Sequence, residues 1–275
     1  MNTQHRLVRV AAMVTVVAVL SGCQTETITG RRQFILTSQQ EEAQLGLQSW
    51  QEVSKEQTAC TDKAKVAAVE RVGKAISAVV TEAGFEWEFK TFESEEANAF
   101  CLPGGKVAVY SGLFAYLAND GELAAVIGHE IGHAVARHGG ERMTQAKLQA
   151  AGASALSWAV DGKSETAKNL WMAAYGGVSK VGFLLPYSRE HEYAADKIGT
   201  VFMARAGYDP TAALDFWNKF GAAGQGKLQE FMSTHPSGPH RIAGLQELMP
   251  AAKKEYGAAK AKRGYGATYA APARK

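Results

Sequence analysis

Nowhere in the 275 residues does an uninterrupted apolar run reach the roughly 18 residues that a membrane-crossing helix requires, which excludes a multi-span membrane protein. Cysteine is scarce: Cys23, Cys60 and Cys101 are the whole set, and none of them makes a C-x-x-C pair. Net charge is also small, +3, and unevenly spread. Residues 251–275 carry +6 and residues 1–22 carry +2, leaving 23–250 at −5, so the basic balance is no argument for nucleic acid binding by the body of the chain. What is present is ordinary: 46% hydrophobic and 21% charged residues exclude a disordered or fibrous chain, and the length allows one large domain or two small ones.

Arg6 and Arg9 precede an apolar run, Val10 to Leu20, that ends in Leu20-Ser-Gly-Cys23. Such a run is too short to span a bilayer and fits the core of a secretory leader. Small residues before a cysteine resemble a bacterial lipobox, which makes residues 1–22 a signal peptide, Cys23 a lipidated N-terminus and 23–37 a tether. Gln24, in place of Asp, points to an outer-membrane lipoprotein facing the periplasm. In that oxidising compartment Cys60 and Cys101 read as one disulfide.

Further along, Thr37 or Ser38 caps a helix to about Lys55, and Asp62 caps one whose stripe is Val66, Val69, Val72, Ile76 and Val80, stopping at Gly84. Phe85–Phe92 alternates as a strand, and Asn98–Leu102 with Lys106–Tyr110 flank Pro-Gly-Gly as a hairpin. From Asp120 a helical pattern runs to Gly139-Gly140, with more helices over 141–159, 165–178, 188–206, 210–220 and 238–249. The apolar stretches near 150–160 and 170–186, broken by Gly and Lys, read as core helices or a membrane-facing lip. No repeat of 20–50 residues is visible. Residues 38–250 form an α+β domain, mainly helical, and the Ala/Gly/Lys-rich tail 251–275 reads as disordered.

Residues 129–133 read His-Glu-Ile-Gly-His. Four residues apart on a helix, His129 and His133 share a face and can offer ring nitrogens to one ion, while Glu130 projects about 100° away, beside the ion rather than onto it. That suits a base acting on water. Gly128 and Gly132 leave room for close packing of another backbone. Chance produces this motif in about one such chain per hundred. A third ligand is needed; position 139 is Gly, and His138 lies about 140° off the ligand face of a continuous helix, so the search moves downstream. In Ser188-Arg-Glu-His-Glu-Tyr-Ala-Ala-Asp196, Glu192 shares a face with Ala195, Gly199 and Phe202, Glu190 faces away, and Asp196 can bond the distal N–H of a ligand histidine. Spacing alone leaves Glu192 and Asp196 equally readable as surface acids.

Taken together, His129-Glu-Ile-Gly-His133, Glu192-Tyr-Ala-Ala-Asp196, Asn98-Ala-Phe, Pro103-Gly-Gly, Tyr110-Ser-Gly-Leu113 and His235-Pro with Arg241 resemble metallopeptidase family 48. Those are the gluzincins that include HtpX and the CAAX prenyl proteases, and the lipobox suggests their soluble lipoprotein branch. The resemblance implies a zincin-like fold, one zinc (Zn2+) held by His129, His133 and Glu192, and Glu130 as the base of an endopeptidase. His235 and Arg241 become candidates for stabilising the oxyanion, and His235 alternatively for a fourth ligand that gates the site. An extended peptide would add to the Lys106, Val107, Ala108, Val109, Tyr110 strand. Partners would be unfolded envelope polypeptides and, through the lipid, a membrane; no nucleic acid. The rival reading is a lipoprotein chaperone or binding module with a structural zinc, which has no need of Glu130.

Overall fold

The structure, a computed structural model, describes residues 23–81, 84–148, 187–222, 231, 235 and 239–269. The expected leader 1–22, the helix over 165–178, the end of the one over 141–159 and the apolar stretches near 150–160 and 170–186 lie outside them. A hairpin of β1 (Cys23–Thr25) and β2 (Arg32–Phe34) leads into α1 (Gln39–Glu56) and α2 (Lys63–Ser77). The sheet follows, with β3 (Glu88–Phe92), β4 (Ala99–Leu102) and β5 (Lys106–Tyr110). Then come α3 (Asp120–Val135), a helical segment over 138–148, α4 (Arg189–Arg205), α5 (Thr211–Ala222) and α6 (Pro239–Ala258). The class is α+β and mainly helical. No helix among the described residues is long and apolar enough to cross a membrane.

Helices α1 to α4 each satisfy orphan N–H groups locally at their starts. Ser38 and Glu41 form a reciprocal capping box on α1, Asp62 accepts from Ala64 and Lys65 on α2, Asn119 accepts from Glu122 on α3, and Ser188 accepts from His191 on α4. The apolar stripes then meet in one core, in which Val69, Val72 and Ile76 of α2 pack with Leu123, Ile127 and Ile131 of α3, Phe202 of α4, and Phe216 and Phe220 of α5. Helix α6 runs past its expected end at 249 and through Pro250. Proline removes the bond to the carbonyl four residues back, and both Pro250 and Gln246 are exposed, so that carbonyl lies on the solvent side.

Strands β4 and β5 form the expected antiparallel hairpin, but β3 joins β5 in parallel, giving the order β3-β5-β4. This corrects two expectations. Lys106–Tyr110 is the central strand, its backbone paired on both sides, so it is not an edge that a peptide can join; among the described residues β4 is the edge that no other strand pairs. And Cys60 and Cys101 are free thiols. Ala59 bridges to Phe92 on the far side of β3, while Cys101 sits in β4, so three strand spacings of about 4.8 Å separate the two thiols' backbones. A disulfide needs Cα atoms within about 7 Å.

Residues 23–37 and 251–269 are better ordered than their composition suggests. The expected tether is the β1–β2 hairpin, held by Arg31 on Glu141 (2.5 Å) and by Arg137, which donates to Gln24, Thr37 and Glu42. The expected disordered tail continues α6 and then folds back over the start of α3. Two of its cations are used on helix ends: Lys262 donates to the carbonyls of Tyr256, Gly257 and Ala259, and Arg263 to that of Ala206 just after α4. Asp120, buried at the start of α3, accepts from Arg71 in two bonds, from the Tyr269 hydroxyl (2.7 Å) and from the Ala267 N–H (3.1 Å). Although burial opposes it, these donors hold the Asp120 carboxyl below its ordinary range. Replacing Tyr269 with Phe removes one bond to a charged acceptor and should cost about 1.5–3 kcal/mol in urea unfolding; wild-type stability in Tyr269→Phe would show that the tail is not a structural part of the domain.

Candidate metal centre

Helices α3 and α4 cross with nothing between their backbones. A Cβ placed on Gly199 would lie 2.5 Å from the Gly128 carbonyl carbon, and one on Gly132 would lie 2.7 Å from the Ala195 oxygen. Only glycine permits this approach, which the sequence anticipates on the α3 side. It brings His129 and His133 of α3 against Glu192 of α4, and all three are buried. Glu190 is exposed, as expected, and so is His240.

Four side chains converge: His129, His133, Glu192 and His235 present donor atoms that all lie within 4.8 Å of one another. His129 Nε2 is 3.0 Å from His133 Nε2 and 3.2 Å from His235 Nδ1, and Glu192 Oε1 is 3.3 Å from His133 Nε2 and 3.1 Å from His235 Nδ1. Four donors about 2.0–2.1 Å from one ion in a tetrahedron sit about 3.3 Å apart, so the spacing suits zinc. The donor chemistry agrees. Three imidazole nitrogens and a carboxylate oxygen face a common point without enough protons to satisfy every lone pair, and burial holds the His133 imidazole well below its ordinary range, against proton uptake.

Around this set, carboxylates and one guanidinium fix the ligands. Asp196 Oδ1 lies 2.9 Å from His129 Nδ1, where it can accept that ring's N–H and orient Nε2 toward the centre. Arg241 donates to both Asp196 oxygens (2.5 and 2.7 Å), places another nitrogen 2.9 Å from Glu192 Oε2, and stacks 3.5 Å over the Trp217 ring. Burial alone would raise the Glu192 and Asp196 carboxyls, but Arg241 and His129 outweigh it and both stay below the ordinary range. Arg241 is thus engaged behind the ligands rather than free to meet an oxyanion. Glu130 differs: it is buried, its Oε1 has no hydrogen-bond partner among the described residues, and burial lifts it to about 7, with His235 Nε2, 3.4 Å away, pulling the other way. A carboxylate near neutrality is the form a general base at physiological pH requires.

Sequence reasoning missed His138. The angular argument assumed a continuous helix, whereas α3 ends at Val135 and Arg137 takes a left-handed backbone, φ 56°, that turns the chain back. His138 Nδ1 then reaches 2.9 Å from His133 Nδ1. His191 and Tyr187 were missed too: His191 stacks on His138 (4.4 Å) and Tyr187 on His133 (3.8 Å). His191 lay in plain view inside the segment that carries Glu192.

The family comparison bears on the same residues. A model described as Peptidase family M48 matches residues 63–249, which spans the site from α2 to α6. The chain belongs to peptidase family M48. Its α+β fold with the buried His/Glu cluster is the zincin-like architecture of that family. The M48 chain is 37% identical over 171 residues to the mitochondrial metalloendopeptidase OMA1 of Arabidopsis thaliana (58% of this chain, 30% of that one). It is 37% identical over 187 residues to its namesake from Schizosaccharomyces pombe (67% and 53%). It is 27% identical over 178 residues to the beta-barrel assembly-enhancing protease of Escherichia coli (57% and 33%). The chain therefore spans about half or less of the length of these relatives. They also correct the expectation of an outer-membrane lipoprotein facing the periplasm, because the relatives at 37% identity are mitochondrial and the bacterial one stands at 27%. A short basic and apolar leader marks a chain for targeting without naming the membrane.

The glycine contact yields a test. Gly199→Ala must push α4 away from α3, at a cost of about 1–3 kcal/mol, and should weaken zinc binding because Glu192 moves with its helix. Unchanged zinc affinity in a folded Gly199→Ala protein would mean that the spacing of the ligands does not depend on this contact.

Proposed function

We propose that the chain is a zinc-dependent endopeptidase, with His129, His133 and Glu192 holding the metal and Glu130 acting as the base. The observation that carries this reading is Glu130 itself: a buried carboxylate whose Oε1 has no hydrogen-bond partner among the described residues, beside the donor set but outside it. A structural zinc closed by four protein ligands has no use for such a group. When bound, zinc supplies a Lewis acid that polarises water and the scissile carbonyl. Glu130 takes the proton from the attacking water and returns it to the leaving amide nitrogen. Asp196 and Arg241 hold His129 and Glu192 in register, and the open edge of β4 offers backbone groups to an extended peptide, so that many sequences bind without strong selection.

In this reading the substrates are unfolded or misassembled polypeptides, which is in keeping with the similarity to a protease of Escherichia coli that enhances beta-barrel assembly. Cys23, exposed at the start of β1, is the lipid attachment point. His235 is the gate. Its Nδ1 lies within hydrogen-bond distance of both His129 and Glu192, which makes it the fourth member of the donor set and keeps the protein latent until substrate or a partner moves the chain around residue 235.

Glu130→Gln should keep about one zinc per chain and near-native stability while casein cleavage collapses, whereas Glu192→Ala should lose zinc; normal cleavage by Glu130→Gln would end the mechanism. His235→Ala separates the two roles of that histidine. If it is a gate, basal cleavage rises, and if it donates to the oxyanion, turnover falls by about 10²–10³. Unchanged kinetics would remove His235 from both.

A further inference from the structure

A histidine that binds a metal through one ring nitrogen almost always donates its other N–H to a neighbouring acceptor, which fixes the tautomer and the ring's orientation. For His129 that acceptor is Asp196. For His133, whose Nε2 faces the donor set, the atom opposite Nδ1 is neither a carboxylate nor a carbonyl but His138 Nδ1, at 2.9 Å. We propose that His138 is a positioning residue: its unprotonated Nδ1 accepts the His133 N–H and so holds His133 Nε2 on the metal. The inference rests on His133 being a ligand, as read above.

The surroundings of His138 are built for one ring position. The residue is fully buried, at 0% exposure. One face lies against His191, with ring centroids 4.4 Å apart and planes 25° from parallel. His191 is held by Glu141 Oε2 at 2.9 Å, and Glu141 by Arg31 of the N-terminal hairpin. On the other side of the turn, Arg137 fastens the backbone next to His138 with donations to Glu42 (2.7 and 3.1 Å), the Thr37 carbonyl (2.6 Å) and Gln24 (2.7 Å). A histidine buried only to fill space would have no reason to place a nitrogen in line with the second nitrogen of a ligand. Accepting at Nδ1 puts the His138 proton on Nε2, which has no partner among the described residues. Leaving a buried donor unpaired is costly, and the arrangement gives up that bond in order to make the one to His133.

The test uses the full chain and three variants, read by zinc affinity in competition with a chromophoric chelator and by thermal unfolding of the zinc-free protein. Asn places its side-chain oxygen where histidine carries Nδ1, Leu has the shape of Asn without an acceptor, and Phe keeps a ring on His191. His138→Leu and His138→Phe should each bind zinc about 10–100-fold more weakly than wild type, and His138→Asn should stay near wild type. In the wild-type protein with zinc bound, nitrogen-15 spectra should show a scalar coupling across the His133 to His138 N–H···N bond, a measurement that needs no variant to fold. Wild-type zinc affinity in the Leu or Phe protein, an Asn protein as weak as Leu, or absence of the coupling would overturn the assignment. Zinc affinity is scored apart from cleavage, so a protein that binds zinc as described yet cleaves nothing would fail the endopeptidase reading and leave the His138 bond standing. A wild-type protein that binds no zinc would overturn both.

Discussion

The approach of α3 to α4, backbone against backbone, is the constraint from which the rest of the site follows. Gly128, Gly132, Ala195 and Gly199 leave nothing larger than a methyl group at the crossing, and the resulting distance sets where Glu192 stands relative to His129 and His133. Interiors pack at crystal-like density and do not deform continuously. A ligand set positioned by main-chain contact is therefore insulated from small repacking elsewhere in the core. The same contact explains why the site is buried: with the helices touching, the donors, Asp196 and Glu130 are all nearly inaccessible.

Burying so much charge is tolerable only because it is paired. Arg241 neutralises Asp196 and Glu192 together and lies on Trp217, so one cation serves two carboxylates, with one nitrogen 3.2 Å from His129 Nε2 at the border of the donor set. Glu130 receives no such partner. The contrast between a compensated pair of carboxylates and an uncompensated one divides the acids into those that hold and the one that can change protonation near neutral pH.

Helix positions were readable in the sequence because amphipathic period and polar caps are local. Asp62, Ser38 and the Val69–Val72–Ile76 stripe behave in the structure as they read on the page. The metal set was legible for a related reason: spacing on one helix face places His129 with His133, and the family resemblance supplied Glu192 and His235. What failed depended on contacts between distant segments. No local signal says that β3 inserts beside β5, which moves Lys106–Tyr110 to the middle of the sheet and separates Cys60 from Cys101. Nor does the composition of the tail reveal that Lys262 and Arg263 meet helix ends, or that a left-handed Arg137 delivers His138 to His133. A loop-like composition describes how a segment behaves alone, and these segments are ordered by what they touch.

The folding back of the C-terminal segment has a temporal consequence. A chain is made and released N-terminus first, at a limited number of residues per second. The nascent protein owns His129, Glu130 and His133 long before it owns Arg241, which steadies Glu192, or Tyr269, which ties down the start of the helix that carries all three. Until those last residues arrive, the histidine pair sits in a helix whose first turn and whose acidic partner are both unsecured. The donor set is therefore secured only after the chain has been made through Tyr269, and its two histidines wait, unpartnered by Glu192, until α4 has been made.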